Sequence, residues 1–213
     1  PGYQKQANVT VDGEVIFTGN YALTKRNERL SDLIAKAGGL SKDAYVKGAR
    51  LMRRMTSDEI RQKQDAVRFA VKGTGKDSVS LAALEVDQTY SVGIELEKAL
   101  AKPKSDEDLV LREGDVLFIP KYVSTVTITG AVMYPNTVLY QKGSGIDYYI
   151  GQAGGFGNRA LKRRAYVVYM NGTVSRLRHN TANAIEPGCE IIVPTKEERK
   201  KATVSGAVGM SSS

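Results

Sequence analysis

The chain has 213 residues, of which 41% are hydrophobic and 25% are charged, which is an ordinary composition for a soluble globular protein. Its formal net charge of +8 fits a polyanionic partner such as nucleic acid, an acidic glycan or a membrane face, and it fits simple solubility equally well. The single cysteine, Cys189, excludes an intramolecular disulfide.

The first predicted unit begins with two short strands and a helix. Alternating residues predict a strand over Asn8–Val15, and Ile16–Leu23 is the strand that returns beside it. Apolar residues then recur at i, i+3, i+4 and i+7 from Leu30, which predicts a short amphipathic helix. Asn27 stands where its side chain would cap this helix, and the pair Gly38–Gly39 ends it.

The first unit then carries an insertion of about 42 residues, at about 56–107, before its last strand. Thr56 and Glu59 form a capping-box pattern that marks the start of a helix. The elements predicted after the first helix are a strand over Gly48–Met55, a helix to about Val71, a strand over Val79–Val86, a short helix over Ile94–Ala101 and a closing strand over Gly114–Pro120.

The same arrangement appears a second time. The helix pattern recurs over Ile146–Gly155, 116 positions after the first, with Ser144 in the capping position. The strand Val126–Val132 precedes it, and Gly188–Pro194 repeats the closing strand. Recurrence at matched spacing indicates a duplication. We expect two domains over residues 8–123 and 124–195 with a short, stiff linker, and a linker or disordered tail over 196–213.

A strand pair, a crossing helix and further strands describe an α+β unit whose sheet is covered by the helix on one face. The order β-β-α-β-β suits a β-grasp. The run V-x-G-x-V, followed by RLSDLIAKAGGL and by the strand GDVLFIP, resembles the SLBB family, the soluble ligand-binding β-grasp domains. The combination is similar to the Wza-type polysaccharide export proteins of Gram-negative bacteria. The resemblance covers most of Asn8–Pro120 and Thr125–Pro194.

The resemblance implies a non-enzymatic part of capsule or exopolysaccharide export, in the periplasm and associated with the outer membrane. Subunits of the family assemble into a ring, and stacked SLBB layers form the wall of a passage for the polymer. The implied partners are the polysaccharide, further copies of the chain and an inner-membrane export or co-polymerase protein. No stretch is typical of a signal peptide or a membrane span. We expect the sequence to be a fragment, so this absence carries little weight.

Few residues suggest catalysis or cofactor binding. The only histidine, His179, lies in a polar stretch, and a catalytic Cys189–His179 pair would need a third group to hold the histidine in place. One histidine and one cysteine are too few for a structural zinc site. The segment Gly73–Asp77 fails the phosphate-loop pattern, because Ala70 and Asp77 stand where a glycine and a serine or threonine are required. We expect no enzyme activity, metal or cofactor.

Two basic clusters remain as candidate contacts with glycan or with a neighbouring subunit. Arginine can bind a carboxylate through two hydrogen bonds, and tyrosine offers an apolar face and a hydroxyl. We expect the clusters to occupy equivalent positions in the two units. The candidates are Arg50, Arg53 and Arg54 in the first unit, and Tyr148, Arg159, Lys162, Arg163 and Arg164 in the second.

Two other functions stay open. The chain can be a soluble module that binds a glycan or DNA without forming a channel, although nucleic acid is not the partner we expect. An enzyme that acts on polysaccharide has only scattered carboxylates in its favour.

Overall fold

The computed structural model describes residues 6–72, 88–177 and 182–196. Two five-stranded sheets share one topology: with the strands of each sheet counted along the chain, the order across both sheets is second, first, fifth, third, fourth. In each sheet the first and last strands of the domain pair in parallel at the centre. The crossing helix lies in the connection between the second and third strands, each of which belongs to an antiparallel pair. The predicted fold class, α+β with two tandem β-grasp domains, is confirmed.

The elements of the N-terminal domain are β1 (Asn8–Gly13), β2 (Gly19–Ala22), α1 (Leu30–Lys36), β3 (Arg50–Arg54), α2 (Ser57–Lys72), β4 (Thr89–Val92), α3 (Leu96–Ala101) and β5 (Val116–Ile119). Those of the C-terminal domain are β6 (Thr125–Gly130), β7 (Asn136–Leu139), α4 (Ile146–Gln152), β8 (Tyr166–Val168), β9 (Val174–Arg176) and β10 (Glu190–Val193). Short 3₁₀ turns cover Val46–Gly48, Lys162–Arg164 and Ala182–Ala184.

Each domain has its own core between the sheet and its helix. The apolar stripe predicted from Leu30 is buried, since Leu30, Leu33, Ile34 and Ala37 are all at most 4% exposed. Alternation in the strands places Val9 and Val11 inward and leaves Thr10 on the outer face. The same alternation in β6 buries Val126 and Ile128.

The helix caps predicted from Asn27 and Ser144 are wrong. The residue that precedes α1 is Arg29, and the one that precedes α4 is Gly145. The N-terminus of α1 is satisfied by the buried carboxylate of Asp108, which accepts hydrogen bonds from the backbone N–H of Ser31 at 3.0 Å and from its hydroxyl at 2.7 Å. A residue distant in sequence therefore replaces the local cap.

The glycines of the repeated strands mark a close approach between backbones. Gly13 and Gly130 have φ of +87° and +86°, and a side chain at either position would collide with the backbone carbonyl of Ile119 or Val193. The next backbone N–H, that of Glu14 or Ala131, donates to the same carbonyl at 2.8 and 2.7 Å. Both positions therefore require glycine for space as well as conformation.

The extra residues of the N-terminal domain are divided between two connections. The connection from β3 to β4 contains α2, and the connection from β4 to β5 contains α3. Strand β4 itself belongs to the sheet and is the counterpart of β9. The predicted capping box at α2 is confirmed, because Thr56 N–H donates to Glu59 at 2.7 Å and Glu59 N–H donates back to Thr56 Oγ1 at 3.3 Å. The predicted strand over Val79–Val86 and the tail beyond 196 lie outside the described residues.

The two domains touch beside a five-residue connection from β5 to β6. The hydroxyl of Tyr45 donates to Glu186 of the second domain at 3.5 Å, and the ring of Tyr45 meets Tyr122 edge to face at 5.6 Å. Gly48 lies against Met170, where a side chain would be too close. Burial and the nearby Glu186 raise the pKa of Tyr45. No helix among the described residues is long and apolar enough to cross a membrane.

Candidate functional site

The first basic cluster lies on β3, and its three arginines have different environments. Arg53 is 6% exposed and binds the carboxylate of Asp115 through Nε at 2.9 Å and Nη2 at 2.7 Å. Arg50 and Arg54 are exposed on the opposite face of the strand, and the guanidinium of Arg50 lies 5.4 Å from the ring centre of Phe118. Arg53 therefore holds the domain together, while its two neighbours remain accessible.

The second cluster lies before β8. Lys162, Arg163 and Arg164 form an exposed 3₁₀ turn, and Arg159 precedes them with a left-handed φ of +64°. The expectation that the two clusters are equivalent is wrong. The counterpart of this turn in the first domain is Val46–Gly48, because both turns run into the strand that follows the crossing helix.

Tyr148 is 38% exposed and packs edge to face on Tyr149, with ring centres 5.1 Å apart. Tyr149 is fully buried, and its hydroxyl accepts a hydrogen bond from the backbone N–H of Gln141 at 2.9 Å. Of the two rings, only Tyr148 can reach a ligand.

A cavity of about 390 Å³ opens beside the second cluster. Its walls come from the start of α4, the 3₁₀ turn and the end of β9; the lining residues are Ile146, Asp147, Phe156, Lys162, Arg163, Arg176 and Leu177. The guanidinium of Arg176 donates to the backbone carbonyl of Arg163 at 3.0 and 3.3 Å, which fixes the hairpin strand to the turn. The ammonium of Lys162 lies 5.2 Å from the ring centre of Phe156.

The corresponding groove of the N-terminal domain is filled by α3. This helix packs against α1 and against the 3₁₀ turn Val46–Gly48. Leu96 and Ala99 of α3 are at most 1% exposed, and Val46 packs against the same core. The position of Val46 is taken by Lys162 in the second domain. One groove is therefore apolar and filled, and the other has a basic rim and a cavity.

The groups suited to catalysis are not gathered at this cavity. Burial raises the pKa of the Cys189 thiol to about 11, and Cys189 is 1% exposed in the core. His179 lies outside the described residues. Among the residues that the structure describes, no three histidine, cysteine or acidic side chains are grouped so that they could hold a metal ion.

The SLBB family model matches residues 8–63 and 125–177, which is more than half of the chain. The chain belongs to the SLBB domain family. It is also 33% identical over 102 residues to a polysialic acid transport protein, KpsD, of Escherichia coli, and 32% identical over 102 residues to a second protein of that name and organism. Each alignment covers 48% of this chain and 18% of the relative, so the match spans less than a fifth of the relatives' length.

Both SLBB domains expose an apolar pair after their first strand. Ile16 and Phe17 are 53% and 63% exposed, and Met133 and Tyr134 are 54% and 70% exposed. The backbone of each pair is held in the same way, since the N–H of Phe17 donates to Ala37 and that of Tyr134 to Ala153, both at 2.9 Å. The duplication has therefore kept a large exposed apolar side chain at one place in both domains.

Sequence reasoning missed Phe156 and Arg176 as residues that line the cavity of the C-terminal domain. Phe156 follows the Gly-Gly pair and shows no pattern of its own. Arg176 had a usable signal, because Asn171-Gly172 is a strong hairpin sequence and Gly172 has φ of +83°. A hairpin predicted there would have placed Arg176 beside the strand that follows the basic turn.

Proposed function

We propose that this chain is a non-enzymatic component of polysaccharide export and contributes to the wall of an oligomeric channel. Membership of the SLBB family and the alignment with two polysialic acid transport proteins support the export role. That alignment is the observation that carries the proposal. By the same reasoning, the protein acts in the periplasm in association with the outer membrane, together with an inner-membrane export or co-polymerase partner.

The two domains suit a wall because they are joined closely and have polar outer sheet faces. The connection is short, and Tyr45 and Glu186 meet across the boundary, proposed near residue 123. On the outer faces, Thr10 donates to Asn20 at 2.7 Å, and Thr127 and Thr137 lie at hydrogen-bond distance, 3.1 Å. Such faces present hydroxyl and amide groups to a passing polymer.

Assembly into a ring requires each subunit to contact its neighbours through two different surfaces. The exposed pairs Ile16–Phe17 and Met133–Tyr134 are the apolar candidates for such contacts. The remaining candidates for contact with glycan or subunit are the accessible side chains of the two clusters: Arg50, Arg54, Tyr148, Arg159, Lys162, Arg163 and Arg164. Arg53 is set aside, since its guanidinium is buried on Asp115.

Light scattering over a wide concentration range tests the assembly. We expect a discrete high-order species, and we expect the double variant Phe17→Ser, Tyr134→Ser to lower its mass. Leu139→Ser is the matched control, because Leu139 is 71% exposed and belongs to neither pair. A strict monomer at high concentration, or an equal effect of the control, would contradict the channel wall.

Deletion of the gene in its host tests export itself. We expect polymer to disappear from the cell surface and to accumulate inside the cell. A strain with normal surface polymer, or with altered polymer chain length and normal export, would contradict the proposal.

The second candidate is a soluble module that binds glycan or DNA without forming a channel. The cavity of the C-terminal domain favours it, since a wall needs no cavity of ligand size. Strongly salt-dependent binding of duplex DNA by a monomeric chain would support this alternative.

A further inference from the structure

We infer that the cavity of the C-terminal domain is a binding site for a carboxylate-bearing sugar unit. The inference rests on the proposed export function and makes it more specific, because it assigns a place and a charge class to the contact with polymer.

The comparison between the two domains is the first argument. The frame around the groove is the same in both, with a crossing helix on one side and a 3₁₀ turn on the other. In the N-terminal domain α3 packs into this groove, and its Leu96 and Ala99 are buried there. In the C-terminal domain the described residues leave a volume of about 390 Å³ between the same two elements. Pockets of roughly 300 to 1,000 Å³ are typical of small-molecule sites.

The lining of the cavity is the second argument, because it has two chemically distinct parts. Ile146 and Leu177 form an apolar base and are themselves buried. Lys162, Arg163 and Arg176 supply three cations, against the carboxylate of Asp147. A sugar ring that carries a carboxylate has the complementary pair of surfaces, an apolar C–H face and an anionic group.

The placement of the cations is the third argument. Arg176 uses Nε and Nη2 on the carbonyl of Arg163, which anchors its planar guanidinium beside the turn. The ring of Phe156 lies under the ammonium of Lys162. Held cations lose less conformational freedom on binding an anion than free surface lysines do. A charge-assisted hydrogen bond to a carboxylate is also stronger than a neutral one.

The replacement of apolar by charged residues is the fourth argument. Val46, which packs against the core of the N-terminal domain, corresponds to Lys162, which is exposed. A groove that binds a helix such as α3 would be expected to have an apolar residue at this position, as the N-terminal domain does with Val46. The charged rim therefore favours an anionic ligand over a helix of a second copy.

The experiment is a titration of this chain, observed by amide NMR, with oligogalacturonate and with the same oligomer after reduction of its carboxyl groups to alcohols. We expect the acidic oligomer to shift the amides of Phe156, Arg163 and Leu177, and the reduced oligomer to bind at least tenfold more weakly. An oligomer of sialic acid serves as a second acidic probe, with its carboxylate on a different sugar.

Variants locate the site. Lys162→Met and Arg163→Gln each remove one cation and are expected to weaken binding about tenfold. Arg176→Gln should do the same, with partial rescue by Arg176→Lys. Lys98→Met is the control, because Lys98 is an exposed cation of the N-terminal domain, and we expect a change within about twofold. Lys162 is exposed, so its variant keeps the test valid if Arg176→Gln does not fold.

Equal binding of the reduced oligomer, equal weakening by Lys98→Met, or no binding of either acidic oligomer would overturn the inference. If instead the amides at the cavity shift with protein concentration alone, the groove is an interface between copies and the inference is wrong. Normal export in the deletion strain would overturn the proposed function. Dependent export without acidic-oligomer binding would overturn only the inference made here.

Discussion

Arg53 and Asp115 form a two-pronged ion pair inside the N-terminal domain, with Nε–Oδ1 and Nη2–Oδ2 distances of 2.9 and 2.7 Å. The same carboxylate accepts a hydrogen bond from the backbone N–H of Arg112 at 2.8 Å, and Arg53 also donates to the carbonyl of Val110 at 3.0 Å. The pair therefore fastens β3 to the turn that leads into β5.

Removal of one partner of the Arg53–Asp115 ion pair should destabilise the N-terminal domain. Asp115→Ala leaves the Arg53 guanidinium buried without its carboxylate, so we expect the free energy of unfolding to fall by about 3–5 kcal/mol. Urea denaturation followed by circular dichroism measures the change. Arg54→Met on the same strand is the control, since Arg54 is exposed and we expect an effect within about 0.5 kcal/mol. A similar loss in both variants would contradict a structural role for the pair.

The close approach at the strand glycines predicts that even a methyl group is not tolerated there. Gly13→Ala and Gly130→Ala should each destabilise by about 2 kcal/mol or more, because φ is positive and the new Cβ meets a backbone carbonyl. Gly151→Ala within α4 is the matched control, since nothing lies near its Cβ position. That substitution should stabilise by roughly 0.5–1 kcal/mol, as alanine favours a helix. The midpoint temperature of thermal unfolding is measured for these three variants. An unchanged midpoint temperature in Gly13→Ala would refute the packing argument.

Glu28 predicts a pH-dependent contribution to stability. Burial alone would raise the pKa of this carboxyl, but the ammonium of Lys36 and the N–H groups of Thr24 and Lys25 outweigh burial and lower it. The stabilisation is therefore present above the ordinary pKa of 4.5 and is lost as pH falls through the lowered value.

Glu28→Gln should cost about 2 kcal/mol at neutral pH, and the difference from the parent chain should shrink below about pH 4.5. Urea titrations between pH 3 and pH 7 follow this difference. Glu97→Gln is the control on an exposed helix surface, where we expect little effect at any pH. A deficit that stays constant over the whole range would show that the charge of Glu28 does not matter.

The buried position of Cys189 predicts that its thiol reacts slowly in the folded chain. Its side chain is buried, and burial raises its pKa to about 11, so little thiolate exists at neutral pH. Modification by a thiol reagent should therefore follow unfolding, with fast reaction in denaturant and slow reaction in buffer. Rapid modification of the folded chain would contradict the core position.

The sequence predicted the frame of this fold well because the frame depends on local patterns. The periodicity from Leu30 and the capping box at Thr56 both concern residues close in sequence. The cap of α1 could not be predicted, since Asp108 lies far along the chain and reaches Ser31 only through tertiary structure. Arg53 was proposed as a surface contact for a related reason: nothing in sequence pairs it with Asp115.

The candidate site was predicted only in part. The basic turn at Lys162–Arg164 was visible as a run of charge, but its cavity depends on which element fills the groove beside it. That element, α3, is found in the N-terminal domain. The sequence of either repeat by itself therefore does not indicate that one groove is filled and the other contains a cavity. The predicted elements do not include the short strand β9, although Asn171-Gly172 is a typical hairpin turn sequence and predicts the hairpin to which Arg176 belongs.

The presence of α3 in one domain and not at the matching place among the described residues of the other has an evolutionary consequence. A tandem duplication gives selection two copies of every position, and a filled groove fixes the residues of only one. Position 46 must stay compatible with a packed helix, while position 162 is free to change charge without loss of folding. The two halves of the duplication therefore differ in how far their groove residues can vary, although both keep the same sheet and crossing helix.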